Sequence, residues 1–296
     1  MPGTQQNALT FTYPAAAGGD NAGPLVWVEQ RFEMPPSDEF YLRFRLHIPA
    51  NYRHRFEVEV RIPAGQRADW MLGDVVQAVD GQARGIISGV NADAIFLRNP
   101  PSPWDNALWV GQLTNVTRNS TATSTGRAMI SSNRKLLAIW ADGYSSQGLG
   151  PTLVWEFWNA EAPHGETATG SDLAVHYAPG NHTGGNEHVQ HTPFIRQADH
   201  GRYLDVMVRG KFSSALGVND GVIQTWFRRE GESAFTMVHD LQQADIAKRG
   251  TDGDPGTLVP WHQGYLMGWA NAGYDEVTTF HISRIEHFSA RPAELP

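Results

Sequence analysis

The segment Phe40-Tyr-Leu-Arg-Phe-Arg-Leu-His-Ile48 decides the fold, because apolar and more polar side chains alternate along its whole length. Residues 55–62 repeat this pattern, with apolar residues between Glu57, Glu59 and Arg61. A period of two places the apolar set on one face of a β-sheet and the charged set on the other. The sequence therefore predicts a large antiparallel sheet with one solvated face.

The same pattern extends over most of the chain, and no long amphipathic helix is indicated. Residues 135–141 and 152–158 are almost continuously apolar, as expected for central strands that are buried on both faces. Residues 240–250 are predicted to form the one helix, of about two turns, and residues 114–126 a polar loop. Further strands are expected at residues 24–34, 84–98, 172–177, 203–209, 222–229, 264–269 and 277–288.

Many short strands with few short helices indicate an all-β fold, a two-sheet antiparallel β-sandwich of the jelly-roll type. We expect residues 1–23 to form an N-terminal arm and residues 24–296 a single jelly-roll domain. The long polar segment at residues 159–200 is predicted to border a groove on the outer, concave face of one sheet.

Composition excludes several functions. The net charge of −8 disfavours nucleic acid as a partner, because nucleic-acid binding needs a basic footprint. The absence of cysteine excludes disulfides, thiolate zinc sites and a cysteine nucleophile. No apolar run reaches membrane-spanning length, so membrane insertion is not expected. The ten tryptophans fill the core or, in the alternative, stack on sugar rings from an exposed face.

The first residues, Met1-Pro-Gly-Thr-Gln-Gln6, lack the charged and apolar regions of a signal peptide. We therefore expect synthesis in a cytoplasm, followed by incorporation into a virion or release if the protein acts outside the cell.

Two segments carry a family resemblance. The stretch Asn133-Arg-Lys-Leu-Leu-Ala-Ile-Trp-Ala-Asp-Gly-Tyr144, followed by Val154-Trp-Glu-Phe-Trp158, resembles the central strands of concanavalin A-like jelly rolls of the polysaccharide-lyase type, which include heparin-lyase-like and glucuronan-lyase-like proteins. Residues 201–208, 219–226 and 264–285 are similar to the following strands of that group. The resemblance implies that the first segment lies beside a glycan groove. The Arg-Ser/Thr-Glu-Leu/Val-Arg, Gln-Ile/Val-His and Tyr-Phe-Lys-x-Gly motifs of alginate-lyase jelly rolls are absent as such.

A lyase that cleaves a uronic acid by β-elimination needs a group that neutralises the sugar carboxylate, a base and an acid. Lys135 and Arg202 are candidates for neutralisation, with Arg196 as an alternative. His191 and Tyr144 are candidates for the base and the acid, with His188 as an alternative. The candidates for glycan binding are Asn133, Trp140, Asp142, Trp158, His188 and Gln190.

Metal and cofactor sites are not expected. Six of the twelve histidines lie between residues 164 and 200, but the i, i+3 spacing of His188 and His191 places them on opposite faces of a strand. Ca²⁺ at Asp-Gly turns is the alternative, although ordinary hairpin turns explain these sequences better. The turns are Asp80-Gly, Asp142-Gly, Asn219-Asp-Gly and Asp252-Gly-Asp.

Two functions remain. The first is a glycan-binding or structural jelly roll, for example a virion surface or decoration component, that binds a polysaccharide or cell-surface glycan and forms a homo-oligomer or a larger assembly. The alternative is a polysaccharide lyase for an acidic, uronic-acid-containing glycan. Hydrolysis is disfavoured because Glu156 lacks the Glu-x-Asp-x-x-Glu spacing of jelly-roll glucanases.

Overall fold

A computed structural model describes residues 7–16, 26–54, 57–81, 83–98, 109–130, 133–141, 152–158, 170–177, 188–248, 258–270 and 273–296. These residues form nineteen β-strands in three antiparallel sheets, with short 3-10 turns at Ala64–Gln66 and Gln197–Asp199. Within these ranges, no helix is both long enough and apolar enough to span a lipid bilayer.

Two six-stranded sheets pack face to face and confirm the predicted β-sandwich. The back sheet has the order β1 (Leu9–Tyr13), β19 (Thr278–Phe288), β3 (Glu39–His47), β15 (Tyr203–Lys211), β16 (Gly221–Arg229) and β17 (Thr236–Ala244). The front sheet has the order β14 (His188–Ile195), β13 (Ser171–Tyr177), β12 (Leu153–Trp158), β11 (Arg134–Trp140), β18 (Trp261–Trp269) and β2 (Trp27–Ser37).

The core between these sheets follows the alternating pattern of the sequence. Phe40 and Phe44 of β3 are fully buried and belong to the same hydrophobic cluster as Trp155 and Phe157 of β12. Gly210 of β15 makes room for this packing, because a Cβ atom there would lie 2.6 Å from Phe40 Cε1 and 2.8 Å from Cδ1 of Leu153 in the front sheet. Close packing of the two sheets therefore depends on residue size as well as on the alternation.

The opposite face of β3 is not the solvated surface that the sequence predicted. Arg43 is only 1% exposed, and its guanidinium donates to Glu294 Oε1 at 2.6 Å and to Asp205 Oδ2 at 3.2 Å. Leu295 packs beside Arg43 in a second apolar cluster with Tyr41, Met207, Trp226 and Phe235. The C-terminal segment thus covers part of the back sheet, and a local sequence pattern does not reveal such a distant contact.

A third sheet forms a small barrel, and its strands lie in the chain between β3 and β11. Its order is β10 (Gly126–Ile130), β4 (Glu57–Arg61), β7 (Ala94–Arg98), β6 (Arg84–Val90), β5 (Val75–Gln77), β8 (Gly111–Asn115) and β9 (Ser120–Ser124). The two outermost strands, β9 and β10, are separated in the chain by Thr125 alone, so the sheet curls and closes on itself. It encloses its own apolar cluster, which includes Trp70 and Trp109.

Two secondary-structure predictions were wrong. Residues 240–244 belong to β17, where Asp240 lies opposite Gln224 and Leu241 opposite Ile223, so pairing with β16 overrides the local helical preference. Residues 114–126, predicted to be a loop, contribute to β8, β9 and β10, because threonine and serine are tolerated where barrel strands pair.

The predicted division into an arm and one domain stays a prediction. Residues 9–13 form the edge strand β1, whereas the expected boundary at residue 23 lies outside the described residues. The barrel, with a core separate from that of the sandwich, was not anticipated by the sequence patterns.

Candidate functional site

The outer surface of the front sheet brings together most of the predicted site residues that the structure describes. Strand pairing places Lys135 opposite Glu156, Glu156 opposite Ala174, and Ala174 opposite His191. These four residues therefore form one row across β11, β12, β13 and β14. We refer to the outward-facing residues Lys135, Trp140, Glu156, Trp158, His176 and His191, together with Asn133, as the front face.

Glu156 is the electrostatic centre of the front face. Its side chain is only 2% exposed, and its carboxylate accepts hydrogen bonds from the amide of Asn133 and the ammonium group of Lys135. Nε2 of His176, on the neighbouring strand β13, lies 3.2 Å from Glu156 Oε2. A buried carboxylate is costly unless it is paired and hydrogen-bonded. The hydrogen bonds therefore fix the positions of Asn133 and Lys135, and His176 lies beside the same carboxylate.

Trp158 provides an aromatic surface beside this cluster. Its ring centroid lies 5.4 Å from that of His176 and 5.1 Å from that of His191, which meets it edge-on at 76°. The indole is partly exposed at the end of β12. The site therefore combines one aromatic ring with two imidazoles and a charged pair.

A cleft of about 540 Å³ lies at the other end of the front sheet, beside β18 and β2. Trp140 forms part of its wall, packs against Tyr265 at 5.8 Å between ring centroids, and donates through Nε1 to Gln263 Oε1 at 2.8 Å. Arg31 and Glu33 contribute charged groups to the same cleft. The lining of the cleft thus mixes aromatic, amide and charged groups, although Trp140 itself is only 4% exposed.

The remaining predicted site residues are not on the front face or cannot be placed. Arg202 is exposed just before β15 of the back sheet, in a small polar pocket with Tyr203 and Arg229. Gln190 lies opposite Val175, a core residue, and thus on the inner side of edge strand β14. The backbone of His188 pairs with Tyr177, while Asp142 and Tyr144 lie outside the described residues.

Sequence reasoning did not identify the roles of Glu156 and His176. In the sequence, Glu156 stands out only as a carboxylate without glucanase spacing, and His176 only as one of six histidines between residues 164 and 200. A charged residue in an almost continuously apolar strand is itself a signal, because acidic residues are seldom fully buried unless they are paired. The identity of the partner, by contrast, depends on the pairing of β12 with β13.

The described part of the chain contains no group of three or more histidine, aspartate or glutamate side chains arranged to hold a metal ion. Two of the Asp-Gly turns have an ordinary structural explanation. Asp80 Oδ1 accepts from the backbone N–H of Ala83 at 2.9 Å, and Asp220 Oδ1 accepts from that of Ser214 at 2.7 Å. The hydrogen bond from the Ser214 N–H lowers the pKa of Asp220. Asp142, Asp252 and Asp254 lie outside the described residues.

No family model matches this sequence, and no curated protein matches it. Among solved structures, the chain is similar to an alginate lyase, vAL-1, from a Chlorella virus, with 6% identity, coverage of 97% of this chain and 86% of that chain, and a TM-score of 0.44. It is similar to an endo-β-1,4-glucuronan lyase from the fungus Trichoderma reesei, with 10% identity, coverage of 96% and 81%, and a TM-score of 0.40. A legume lectin-like domain from Entamoeba histolytica has 8% identity, coverage of 95% and 90%, and a TM-score of 0.36. These likenesses concern the fold and assign no role to any residue.

Proposed function

We propose that the protein binds a polysaccharide across the front face. The observation that carries this proposal is the run of outward-facing residues from Trp158 and His191, past the Lys135–Glu156 pair, to the cleft at Trp140. Aromatic rings offer apolar faces to the C–H groups of sugars, while fixed amide and charged groups offer hydrogen bonds to hydroxyl groups. The surface spans several strands, which suits an extended chain better than a single sugar.

Binding can be tested by titrating the protein with alginate, glucuronan, heparin-type glycans and a neutral β-glucan in a calorimeter. Replacing Trp158 with alanine removes the partly exposed aromatic surface, and we expect about a tenfold loss of affinity, equivalent to about 1.4 kcal/mol. Tyr203→Ala is the matched control, because Tyr203 is a partly buried aromatic residue on the outer side of the back sheet. Equal affinities of the two variants would show that the glycan binds elsewhere.

One observation favours the second candidate, a polysaccharide lyase that acts on an acidic glycan. A histidine and a lysine both lie against the carboxylate of Glu156, and an imidazole near an ammonium group is suited to removing a proton next to a sugar carboxylate. The step would break the C5–H bond, form a C4–C5 double bond and expel the C4 oxygen, which takes up a proton. The lyase proposal differs from the binding proposal in requiring product formation.

The lyase is tested by following the ultraviolet absorbance of the unsaturated product. If the protein is a lyase, His176→Gln, His191→Ala and Lys135→Ala each reduce the rate strongly, whereas Arg202→Ala in the back sheet leaves the rate near that of the wild type. Flat traces with retained binding support the binding protein alone. Loss of activity in Arg202→Ala would contradict the placement of the reaction on the front face.

We also propose that the protein acts as a homo-oligomer or as part of a virion. Individual glycan contacts are weak, and several copies that bind one polymer gain affinity through their high effective concentration. Light scattering on the purified protein measures the number of copies. A monomer that binds multivalent glycan no more tightly than a short oligosaccharide would argue against this part of the proposal.

A further inference from the structure

The outer side of the back sheet, on the opposite side of the sandwich from the front face, carries a second set of polar residues. Strand pairing aligns Thr10 with His281, His281 with His47, and His47 with Tyr203. The row crosses β1, β19, β3 and β15 at one level of the sheet. Two imidazoles are thus direct cross-strand neighbours, a relation that brings their Cβ atoms within about 4.5–5.5 Å.

The two rings are close enough to share one ion. The ring centroids of His47 and His281 lie 5.5 Å apart, and the planes are inclined at 56°. Bonds of about 2.0–2.1 Å from zinc to two imidazole nitrogens leave those nitrogens roughly 3 Å apart. A centroid separation of 5.5 Å is compatible with two rings that turn their nitrogens towards a common ion.

Neighbouring residues orient one of these rings. Thr10 Oγ1 lies 3.1 Å from His281 Nδ1, so this contact holds the ring and leaves Nε2 as the ligating nitrogen. Such a second contact, at the nitrogen that does not bind metal, is usual for ligating histidines. On the other side, the ring of Tyr203 packs against His47 with the centroids 4.9 Å apart.

One acidic and one basic residue lie near this pair of histidines. Glu230, on the turn after β16, is near enough to His47 to act on it electrostatically. Arg45, the nearest cation of β3, points to other groups: its Nε lies 3.4 Å from Asp205 Oδ1, and its guanidinium stacks over Tyr203 at 4.7 Å.

We propose that His47 and His281 form a site for a divalent transition-metal ion such as Zn²⁺, Ni²⁺ or Cu²⁺, with water completing the coordination. Imidazole is a preferred ligand of these ions, whereas Ca²⁺ and Mg²⁺ prefer oxygen. Because the site has two protein ligands rather than four, it binds more weakly than a structural zinc site. The inference is independent of glycan binding, since the two sites lie on different sheets.

Calorimetric titration of the full chain with Ni²⁺ and Zn²⁺ tests the site. Residues 159–200 contain other histidines, so the informative quantity is the difference between variants. We expect His281→Ala and His47→Ala each to lose one equivalent of bound ion, or at least tenfold in affinity. The matched control His262→Ala, on β18 of the front sheet, keeps the wild-type titration. Thr10→Val is expected to weaken binding severalfold.

A second measurement needs no variant at these positions. In the wild-type protein, substoichiometric Cu²⁺ is expected to broaden the imidazole NMR signals of His47 and His281 before that of His262. Titrations of His281→Ala and His47→Ala that match the wild type, or broadening that spares these two rings, would overturn the proposal. A folded variant is recognised by an unchanged near-ultraviolet circular dichroism spectrum.

Discussion

At the scale of single residues, Glu156 connects stability to the site. Its carboxylate is almost completely buried and holds Asn133, Lys135 and His176 around it. Removing one member of a buried ion pair typically costs about 3–5 kcal/mol, because the remaining charge stays desolvated. We therefore expect Glu156→Ala to lower the free energy of unfolding by about that amount, and Glu156→Gln by about 1–3 kcal/mol.

Urea unfolding measures both effects. The control is Glu276→Gln, an exposed residue of the loop before β19, for which a change below about 0.5 kcal/mol is expected. If glycan binding depends on the arrangement of Lys135 and His176, Glu156→Gln also weakens binding while the protein remains folded. A Glu156→Gln protein as stable as the wild type would show that the carboxylate charge contributes nothing to the cluster.

At the scale of strands, the sheets also bury a titratable group between them. His239 of β17 is fully buried, and its Nε2 lies 3.1 Å from the carbonyl oxygen of Leu173 on β13. Burial lowers the pKa of His239 to about 4, compared with 6.5 for an ordinary histidine. The unfolded chain therefore binds a proton at this residue below pH 6.5, while the folded protein does so only near pH 4. Stability is consequently lost as the pH falls from 6.5 to about 4.

The expected size of this loss is on the order of 3 kcal/mol, since each pKa unit corresponds to about 1.4 kcal/mol. His239→Gln keeps an N–H donor for Leu173 but cannot titrate. Between pH 6.5 and 4, the stability of this variant is expected to fall less than that of the wild type. His262→Gln, a partly buried position of the front sheet, controls for the general effect of losing a histidine. Parallel pH profiles of the wild type and His239→Gln would contradict the assignment.

Sequence patterns predicted the strands where alternation or continuous burial is strong. The stretch 40–48 and strands β11 and β12 are of this kind, because their apolar side chains are buried in the adjacent core. The secondary structure of residues 240–244 and 114–126 was predicted wrongly, because it depends on pairing with distant strands. The partner is β16 in the first case and the barrel strands in the second. On the front face, the row Lys135, Glu156 and His191 depends on register across four strands, which a single sequence does not encode locally.

At the scale of the whole molecule, the barrel is inserted in the sandwich at two neighbouring points. The chain enters it after Tyr52 and His54 and returns at Arg134. The guanidinium of Arg134 lies 4.4 Å above the ring of Tyr274, and the ring of Tyr52 lies 6.4 Å from that of Tyr274. Both ends of the insertion thus meet at the same tyrosine. One ion pair, Arg98 with Asp275 at 3.2 Å, joins the barrel to the loop before β19.

This arrangement predicts that the sandwich folds without the barrel. Replacing residues 57–130 with a short Gly-Ser linker closes a small gap, and the cost of closing a flexible loop grows only slowly with its length. The apolar cluster of the sandwich and that of the barrel share no residue, so the deletion exposes little of the sandwich core. We expect the shortened protein to unfold cooperatively and to keep the glycan affinity of the front face. An unfolded or aggregated product, while Arg98→Ala in the full chain stays folded, would mean that the sandwich requires the barrel surface as a whole rather than a single contact.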